Sequence, residues 1–243
     1  MGKSRGPEDG PCFDTVYEAC RIAIESMTPV FVLSDGYLAN GSEPWKLPDI
    51  ATLPPIPVHF RTDPEGFHPY ARDPETLARP WAIPGTKGLE HRIGGIEKQD
   101  VTGNVSYDPA NHEKMVRLRA EKVQRIAERI PPARVEGDPD GDLLIVGWGS
   151  TYGSIKAALS RASARGGARI GHVHLRHLNP LPLNLGEILK RYKKVLVPEM
   201  NMGQLLLVLR AQYLVDAVGL NKIQGRPFTE GEIVAKIDAM LGR

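Results

Sequence analysis

Residues 142–209 constrain the fold of this chain more than any other stretch. Short runs rich in Val, Ile and Leu alternate there with two helix-like runs; the apolar runs are DLLIVG (142–147), ARIGHVHL (168–175) and KKVLVP (193–198). Each is followed by a Gly, Asn or Pro break, as expected of strands that helices cover on both faces. Strands that alternate with helices in this way form a parallel sheet. The stretch therefore predicts a parallel βαβαβ unit in an α/β fold.

Helix-start signals lie between and after these strands. A capping box places an N-cap oxygen three residues before an acid or amide. Three such pairs occur: Asn184 with Glu187, Asn201 with Gln204, and Thr229 with Glu232. The helix after the first strand has an apolar stripe at Ile155, Ala158, Leu159 and Ala162 behind two possible caps, Ser150 and Thr151.

The last hundred residues complete a domain. Residues 205–218 are apolar nearly all round, which predicts a helix buried on most sides and ended by Gly219. NKIQG (221–225) predicts a fourth strand, and a final helix follows Thr229. We therefore expect residues 138–243 to fold alone as a doubly wound, four-stranded parallel domain.

Composition excludes several classes of function. The 243 residues carry a formal net charge of +2, which gives no global field for nucleic acid. Arg210 and Asp216 interrupt the longest apolar stretch, so we expect no membrane span. No signal peptide is evident, which predicts a cytoplasmic location. Cys12 and Cys20 share one predicted helix at about 12 Å, too far apart for a disulfide.

The first third contains too few elements for a closed core. A helix is predicted from Asp14 to Met27, with Tyr17, Cys20, Ile24 and Met27 on one face, and VFVL (30–33) follows as a strand. The next hundred residues offer no equivalent apolar run to pair with it. Either another chain or an upstream segment completes its sheet, and an unpaired edge of this kind favours self-association through residues 13–33.

The middle of the chain is predicted to be a proline-rich strap. Residues 44–84 hold many of the 21 prolines, which favours extended backbone, and their aromatic side chains are expected to pin the strap to a surface. A small hairpin with a turn at 102–104 follows. Asp108 and Pro109 then start a helix that is predicted to reach Ile130, with Val116, Ala120, Val123, Ala127 and Ile130 on one stripe.

Five ordered motifs resemble one enzyme family. They are VFVLSDGYLANGSEPW (30–45), GLEH (88–91), VSYDPANHEKMVRLRAEKV (105–123), VGWGSTYG (146–153) and PEMNMGQL (198–205). Together they resemble the α subunit of thiamine-diphosphate-dependent 2-oxoacid:ferredoxin oxidoreductases, closest to the 2-oxoglutarate type. The resemblance implies three parts: the end of an incomplete pyrimidine-binding domain (1–43), the strap, hairpin and long helix (44–137), and a transketolase C-terminal-like domain (138–243).

The resemblance also implies what this sequence lacks. In the family, the glutamate that protonates the cofactor's aminopyrimidine lies upstream of the matching region. A β subunit supplies the diphosphate-binding domain, the magnesium site and the cysteines of an iron–sulfur cluster. We therefore expect a fragment or split form of the α subunit that binds no cofactor alone and works with that β subunit, ferredoxin, a 2-oxoacid and coenzyme A.

The loop 34–45 is the first candidate site. Ligands of α/β sheets bind at the carboxyl ends of the strands, and this loop follows the predicted strand 30–33. Its polar members are Asp35, Tyr37, Asn40 and Glu43. An equally weighted alternative is that Asp35 and Asn40 only satisfy the backbone of a tight loop.

The turn within VGWGSTYG is the second candidate. A glycine-containing turn between a strand and a helix can hold an anion on its backbone amides, which nominates Gly149, Ser150 and Thr151. Tight turns selected for packing are the favoured alternative. The glycine spacing does not fit a dinucleotide fingerprint, and no lysine follows as a P-loop requires.

Residues 143–186 contain no acid but several basic residues: Lys156, Arg161, Arg165, Arg169 and Arg176. They either attract coenzyme A phosphates or a partner's acidic patch, or form a solvated face balanced by acids elsewhere, which we favour. Three histidines lie nearby: His172 and His174 are predicted to share one face of a strand, and His177 lies past its end. They are expected to be structural because no carboxylate accompanies them.

Two functions remain open. The chain is either part of an oxidoreductase that decarboxylates a 2-oxoacid, or a non-catalytic assembly module of the same fold. Copurification separates them, because only the first predicts a brown, cluster-bearing complex.

Overall fold

The computed structural model describes residues 11–42 and 44–243. Its α-helices are α1 (Pro11–Ser26), α2 (Gly36–Asn40), α3 (Pro109–Ile126), α4 (Tyr152–Ala164), α5 (Leu185–Lys190), α6 (Gln204–Tyr213) and α7 (Glu230–Leu241). Its strands are β1 (Val135–Gly137), β2 (Gly141–Trp148), β3 (Ile170–Leu175), β4 (Tyr192–Glu199) and β5 (Ala217–Asn221). The described residues form two compact units. The N-terminal unit contains 11–32 and 44–129, and the C-terminal unit contains 33–42 and 130–243.

The C-terminal unit is built on one sheet with strand order β1-β3-β2-β4-β5. β3, β2, β4 and β5 run parallel, and β1 pairs antiparallel with the outer side of β3. Alternate residues of β2 point to opposite faces. Leu143 and Ile145 pack with α4 and α7, whereas Leu144 and Val146 pack with α5 and α6. The predicted α/β class and parallel βαβαβ unit are confirmed.

The end of the sheet differs from the prediction. α6 ends at Tyr213, and Gly219 lies inside β5 instead of stopping a helix. The fourth parallel strand is therefore Ala217–Asn221, and the predicted strand at 221–225 is wrong apart from its first residue. α6 buries Leu205 and Leu209 but leaves Leu207 67% exposed, so it is not covered on most sides.

The predicted caps have mixed outcomes. Thr229 and Glu232 form the capping box of α7 as predicted. Asn184 caps no helix with its side chain; its amide instead exchanges two hydrogen bonds with the backbone of Ala133, at 2.9 and 2.8 Å. Asn201 accepts from the backbone N–H of Gly203 at 2.7 Å, just before α6.

In the N-terminal unit, α1 confirms the first predicted helix, but its buried residues are Ile22 and Ser26, and Cys20 is exposed. Both described cysteines are free. Residues 30–33 form no strand, so that prediction is wrong; Phe31 is 85% exposed. A strand needs a neighbour to satisfy its backbone, and the sequence near these residues supplies none.

The proline-rich strap is extended in part, as predicted, but a short 3-10 turn at Ile50–Thr52 and turns at 65–66, 74–76 and 84–85 interrupt it. Two aromatic residues of the strap, Trp45 and Trp81, contact α1. The Trp45 ring lies 5.7 Å from that of Phe13, and Trp81 Nε1 donates to the carbonyl of Ile24 at 3.0 Å. The expected pinning is thus confirmed inside this unit.

The long helix α3 begins as predicted, with Asp108 accepting from the N–H of Ala110 and Pro109 in the first turn. It ends at Ile126, and its buried positions are Met115 and Ile126, whereas Val116 is exposed. Of the predicted stripe, Ala127 and Ile130 are buried just beyond the helix and Val123 is half-buried, whereas Val116 and Ala120 are exposed. The hairpin before it is confirmed by the bridge between Lys98 and Val105.

Candidate functional site

A 3-10 turn at Gly149–Thr151 joins β2 to α4 at the carboxyl end of the sheet. Gly149 has φ +58°, a left-handed conformation that glycine adopts without a steric penalty. Thr151 is buried, and its Oγ1 donates to the carbonyl of Trp148 at 2.8 Å while accepting from the N–H of Trp148 at 3.2 Å. Thr151 therefore holds the shape of the turn, which agrees with the packing interpretation for this residue.

The structure brings the two candidate sets together in the C-terminal unit. Asp35 caps α2 through Oδ1, which accepts from the N–H of Leu38 at 3.0 Å. Its other oxygen, Oδ2, accepts a short hydrogen bond from Ser150 Oγ. The thioether of Met200 lies 3.5 Å from the same hydroxyl. One carboxylate thus ties the start of α2 to the turn after β2.

The other members of loop 34–45 have separate positions. Asn40 Nδ2 donates to the carbonyl of Gly36 at 2.7 Å, so it satisfies the backbone of α2. The Tyr37 side chain is more than half exposed and has no described hydrogen bond. Glu43 lies outside the described residues. Asp35 therefore combines a backbone role with a contact to the turn, and Tyr37 is the side chain that α2 presents freely.

Glu199 is a buried carboxylate that sequence reasoning missed. It ends β4, is fully buried, and accepts from Trp148 Nε1 at 3.2 Å, Asn201 Nδ2 at 3.1 Å and the N–H groups of Leu205 and Leu206 at 3.0 Å each. A negative charge at a helix N-terminus is favourable. The signal available in the sequence was a lone acid between a buried strand and a helix start.

His172 and His174 share one face of β3, as expected. Tyr152 packs against both rings, with centroid distances of 5.8 and 5.0 Å, and its hydroxyl donates to Glu136 at 3.1 Å. His174 Nε2 lies 3.0 Å from the carbonyl of Gly149 and is therefore its donor. Burial lowers the pKa of His172 to about 3 and that of His174 to about 4. Both rings are neutral at pH 7, and His174 supports the turn.

The basic residues of 143–186 are balanced by acids where their contacts are described. Arg161 pairs with Glu230, Arg165 with Asp238 and Arg169 with Asp140, at 3.0, 2.7 and 2.5 Å. These are ion pairs on an exposed surface, which contribute little to stability. The favoured interpretation of a solvated, balanced face is confirmed for these three arginines.

The described residues lack the ligand set that thiamine diphosphate requires. Magnesium-bound diphosphate needs several oxygen ligands, and residues 11–42 and 44–243 contain no group of three or more His, Cys, Asp or Glu side chains placed to hold a metal ion. Both oxygens of Glu199 already accept N–H donors, so this carboxylate is not free to contact an aminopyrimidine. The described residues therefore do not by themselves fit the cofactor.

Comparison with known proteins identifies the family. The family model for "Pyruvate flavodoxin/ferredoxin oxidoreductase, thiamine diP-bdg" matches residues 8–108, and that for "Pyruvate:ferredoxin oxidoreductase core domain II" matches 141–233. The 2-oxoglutarate oxidoreductase subunit KorA of Mycobacterium tuberculosis is 54% identical over 239 residues, 98% of this chain and 36% of that protein. The chain belongs to the 2-oxoacid:ferredoxin oxidoreductase family. The family resemblance inferred from the motifs is confirmed.

Further members of the family agree in sequence and structure. The 2-oxoglutarate synthase subunit KorA of Methanothermobacter marburgensis is 26% identical, covering 94% of this chain and 61% of that protein. The 2-oxoglutarate:ferredoxin oxidoreductase of Magnetococcus marinus, solved with 2-oxoglutarate, coenzyme A and succinyl-CoA bound, superposes with a TM-score of 0.87 at 30% identity. That match covers 96% of this chain and 41% of the solved one. The chain thus spans less than two thirds of each of these oxidoreductases.

Within the part of the chain that the structure describes, no helix combines the length and apolar character needed to span a membrane.

Proposed function

We propose that this chain is part of the α subunit of a thiamine-diphosphate-dependent 2-oxoglutarate:ferredoxin oxidoreductase. In the proposed reaction 2-oxoglutarate loses carbon dioxide, two electrons pass to ferredoxin, and the remaining acyl group is transferred to coenzyme A as succinyl-CoA. The observation that carries the proposal is the 54% identity over 98% of this chain with the M. tuberculosis oxidoreductase subunit. The superposition on the Magnetococcus marinus enzyme supports it.

In the assembled enzyme, thiamine diphosphate supplies the carbon-centred chemistry of decarboxylation. Its magnesium ion and the iron–sulfur cluster belong to a β subunit that carries the diphosphate-binding domain, and ferredoxin accepts the electrons. We propose that the isolated chain binds neither thiamine diphosphate, nor magnesium, nor the iron–sulfur cluster. We also propose that the chain self-associates through residues 13–33, because the apolar side chains at 30–33 are exposed. The cytoplasmic location inferred from the sequence stays a prediction.

The proposed role of this chain near the active site is to position α2. Asp35 fixes the start of α2 through Leu38 and binds Ser150 on the rigid turn after β2. Rigid supports of this kind hold a functional loop within the narrow range that catalysis tolerates. We propose that Tyr37 and Asn40 lie beside the substrate on this loop. Gly149 and Thr151 shape the turn and direct the Ser150 hydroxyl toward α2.

Co-expression with the β subunit tests this function. A tagged form of this chain, with the upstream α-subunit segment supplied as a separate chain, should copurify as a brown complex that reduces ferredoxin when 2-oxoglutarate and coenzyme A are present. Ser150→Ala removes a hydrogen bond to a carboxylate, worth about 1.5–3 kcal/mol, and should lower activity about tenfold. Asp49→Asn, which changes a similar cap on the strap, is the matched control.

The alternative function gives the opposite outcome. A colourless homo-oligomer without ferredoxin reduction, formed even when the other chains are supplied, would contradict the proposal and support a non-catalytic assembly module. Equal activity in Ser150→Ala and wild type would leave the enzyme assignment intact but reject the positioning role of the turn.

A further inference from the structure

Basic side chains from two elements of the N-terminal unit gather around Tyr70. Arg72 and Arg79 come from the strap; Lys122 comes from α3. The guanidinium carbons of Arg72 and Arg79 lie 5.6 and 4.4 Å from the centroid of the Tyr70 ring. Burial, together with the nearby charges of Arg72 and Arg79, lowers the pKa of Lys122 to about 8. These three residues are called the Tyr70 basic cluster below.

The acid whose charge acts on Arg72 has another ion-pair partner. Asp100 pairs with Lys114 at 2.6 Å. In the described part of the chain, no member of the cluster forms an ion pair with a carboxylate. Arg79 and Lys122 instead donate to backbone carbonyls, which bring no negative charge. The charge of Asp100 attracts Arg72, but Asp100 is ion-paired with Lys114, so no carboxylate is paired with any of the three positive charges.

Arg72 is the least satisfied member of the cluster. Its Nη1 is buried and has no hydrogen-bond partner, and its Nη2 lies 4.0 Å from the thioether of Met115. Burial lowers the pKa of Arg72, yet a guanidinium stays charged at neutral pH. Burying a charge without a partner is unfavourable. An acceptor is thus missing at this side chain.

The hairpin around residues 101–103 packs against Tyr70. The backbone N–H of Tyr70 donates to the carbonyl of Val101 at 3.0 Å. Gly103 has φ +73°, and a Cβ there would lie 2.8 Å from the Tyr70 ring, so only glycine lets the hairpin approach this closely. A fixed ring holds two guanidinium groups near one ammonium group, which suits recognition of a small group with several oxygens.

We propose that Arg72, Arg79 and Lys122 form a binding site for an oxyanion group, a phosphate or carboxylate of a small metabolite. The bound oxygens would accept from Arg72 and neutralise the three charges. The site is argued from the N-terminal unit alone and does not depend on the proposed activity.

Anion titration of the full chain tests the proposal. Inorganic phosphate and succinate are titrated separately in a calorimeter at constant ionic strength, with sodium chloride as the screening control. We expect saturable binding at a single site; phosphate binding alone would identify a phosphate group, and succinate binding alone a carboxylate. Arg72→Gln and Lys122→Gln should each weaken the affinity at least tenfold. Arg117→Gln, which removes a positive charge from the exposed side of the same helix, should bind like wild type.

Two outcomes would overturn the proposal. One is no saturable heat with either anion beyond the chloride control. The other is unchanged affinity in both Arg72→Gln and Lys122→Gln. Circular dichroism of each variant shows whether it is folded, and if Arg72→Gln is not, Arg79→Gln replaces it. Binding is measured without turnover, so these results are independent of whether the assembled enzyme is active.

Discussion

His172 and His174 are held neutral by their surroundings on β3. Both ring nitrogens of His172 and Nδ1 of His174 are buried without hydrogen-bond partners, so a proton added to either ring would create an unpaired buried charge. Burial accordingly lowers both pKa values, and the neighbouring His174 adds to the effect on His172. The spacing in the sequence located this pair and its shared face. It could not reveal the burial, because Tyr152 covers the rings from another element.

The first prediction is a loss of stability in acid caused by these histidines. In the unfolded chain the rings bind protons near pH 6.5, whereas in the folded protein they do so only near pH 4 and 3. Their contribution is therefore complete above pH 6.5 and is lost as the pH falls toward 4 and 3. Each histidine adds up to about 1.4 kcal/mol per pH unit to this slope.

Urea denaturation at pH 7.0, 6.0 and 5.0 measures this effect. His172→Leu removes one titrating ring, and leucine suits the apolar surroundings. The unfolding free energy of the variant should therefore fall less steeply with decreasing pH than that of wild type. The difference in slope should correspond to about one fewer proton bound on unfolding. Equal slopes for the two proteins would contradict the assignment to His172.

At the scale of elements, α6 and β5 show where apolar patterning is insufficient. The run 205–218 is apolar nearly all round, and the sequence alone does not say which side the sheet covers. The structure ends α6 at Tyr213 and turns the chain at Leu214, which is 90% exposed with φ +52°. The following residues enter the sheet because β4 offers an open edge. Tertiary pairing therefore overrides the local helical pattern.

The second prediction concerns the end of α6. Leu214 occupies the left-handed position that ends many helices, where a side chain costs about 1 kcal/mol and glycine does not. Leu214→Gly should therefore stabilise the protein by about 0.5–1 kcal/mol in thermal unfolding. Leu207→Gly is the matched control, because the same change inside the helix should destabilise by about 1 kcal/mol. Destabilisation by Leu214→Gly would show that the Leu214 side chain packs against a partner in solution.

For the whole molecule, the elements that depend on local sequence pattern could be predicted. The contacts between residues far apart in the sequence could not. The three central strands, their covering helices and the extended strap follow from periodicity, caps and prolines. The hydrogen bond between Asp35 and Ser150 spans 115 residues, and neither residue carries a signal for the other. β1 was missed because it has three residues inside a turn-rich segment. Its position is set by antiparallel pairing with β3.

The last prediction concerns independent folding of the C-terminal sheet. The three-part division at 1–43, 44–137 and 138–243 stays a prediction. The C-terminal unit contains residues 33–42 and a continuous part that begins at Ile130, before β1. A fragment of residues 138–243 keeps the four parallel strands and should still fold. It loses β1, the partly buried Val135 and the two hydrogen bonds between Ala133 and Asn184. A fragment of residues 130–243 keeps all three.

Both fragments should unfold cooperatively in urea, because each retains helices on both faces of the parallel strands. The longer one should be more stable by about 2–4 kcal/mol, the combined contribution of the lost apolar burial and hydrogen bonds. It should also resist limited proteolysis longer, since the outer edge of β3 is paired only when β1 is present. Equal stability would show that β1 contributes nothing to the fold. Absence of a cooperative transition in both fragments would show that the sheet depends on the rest of the chain.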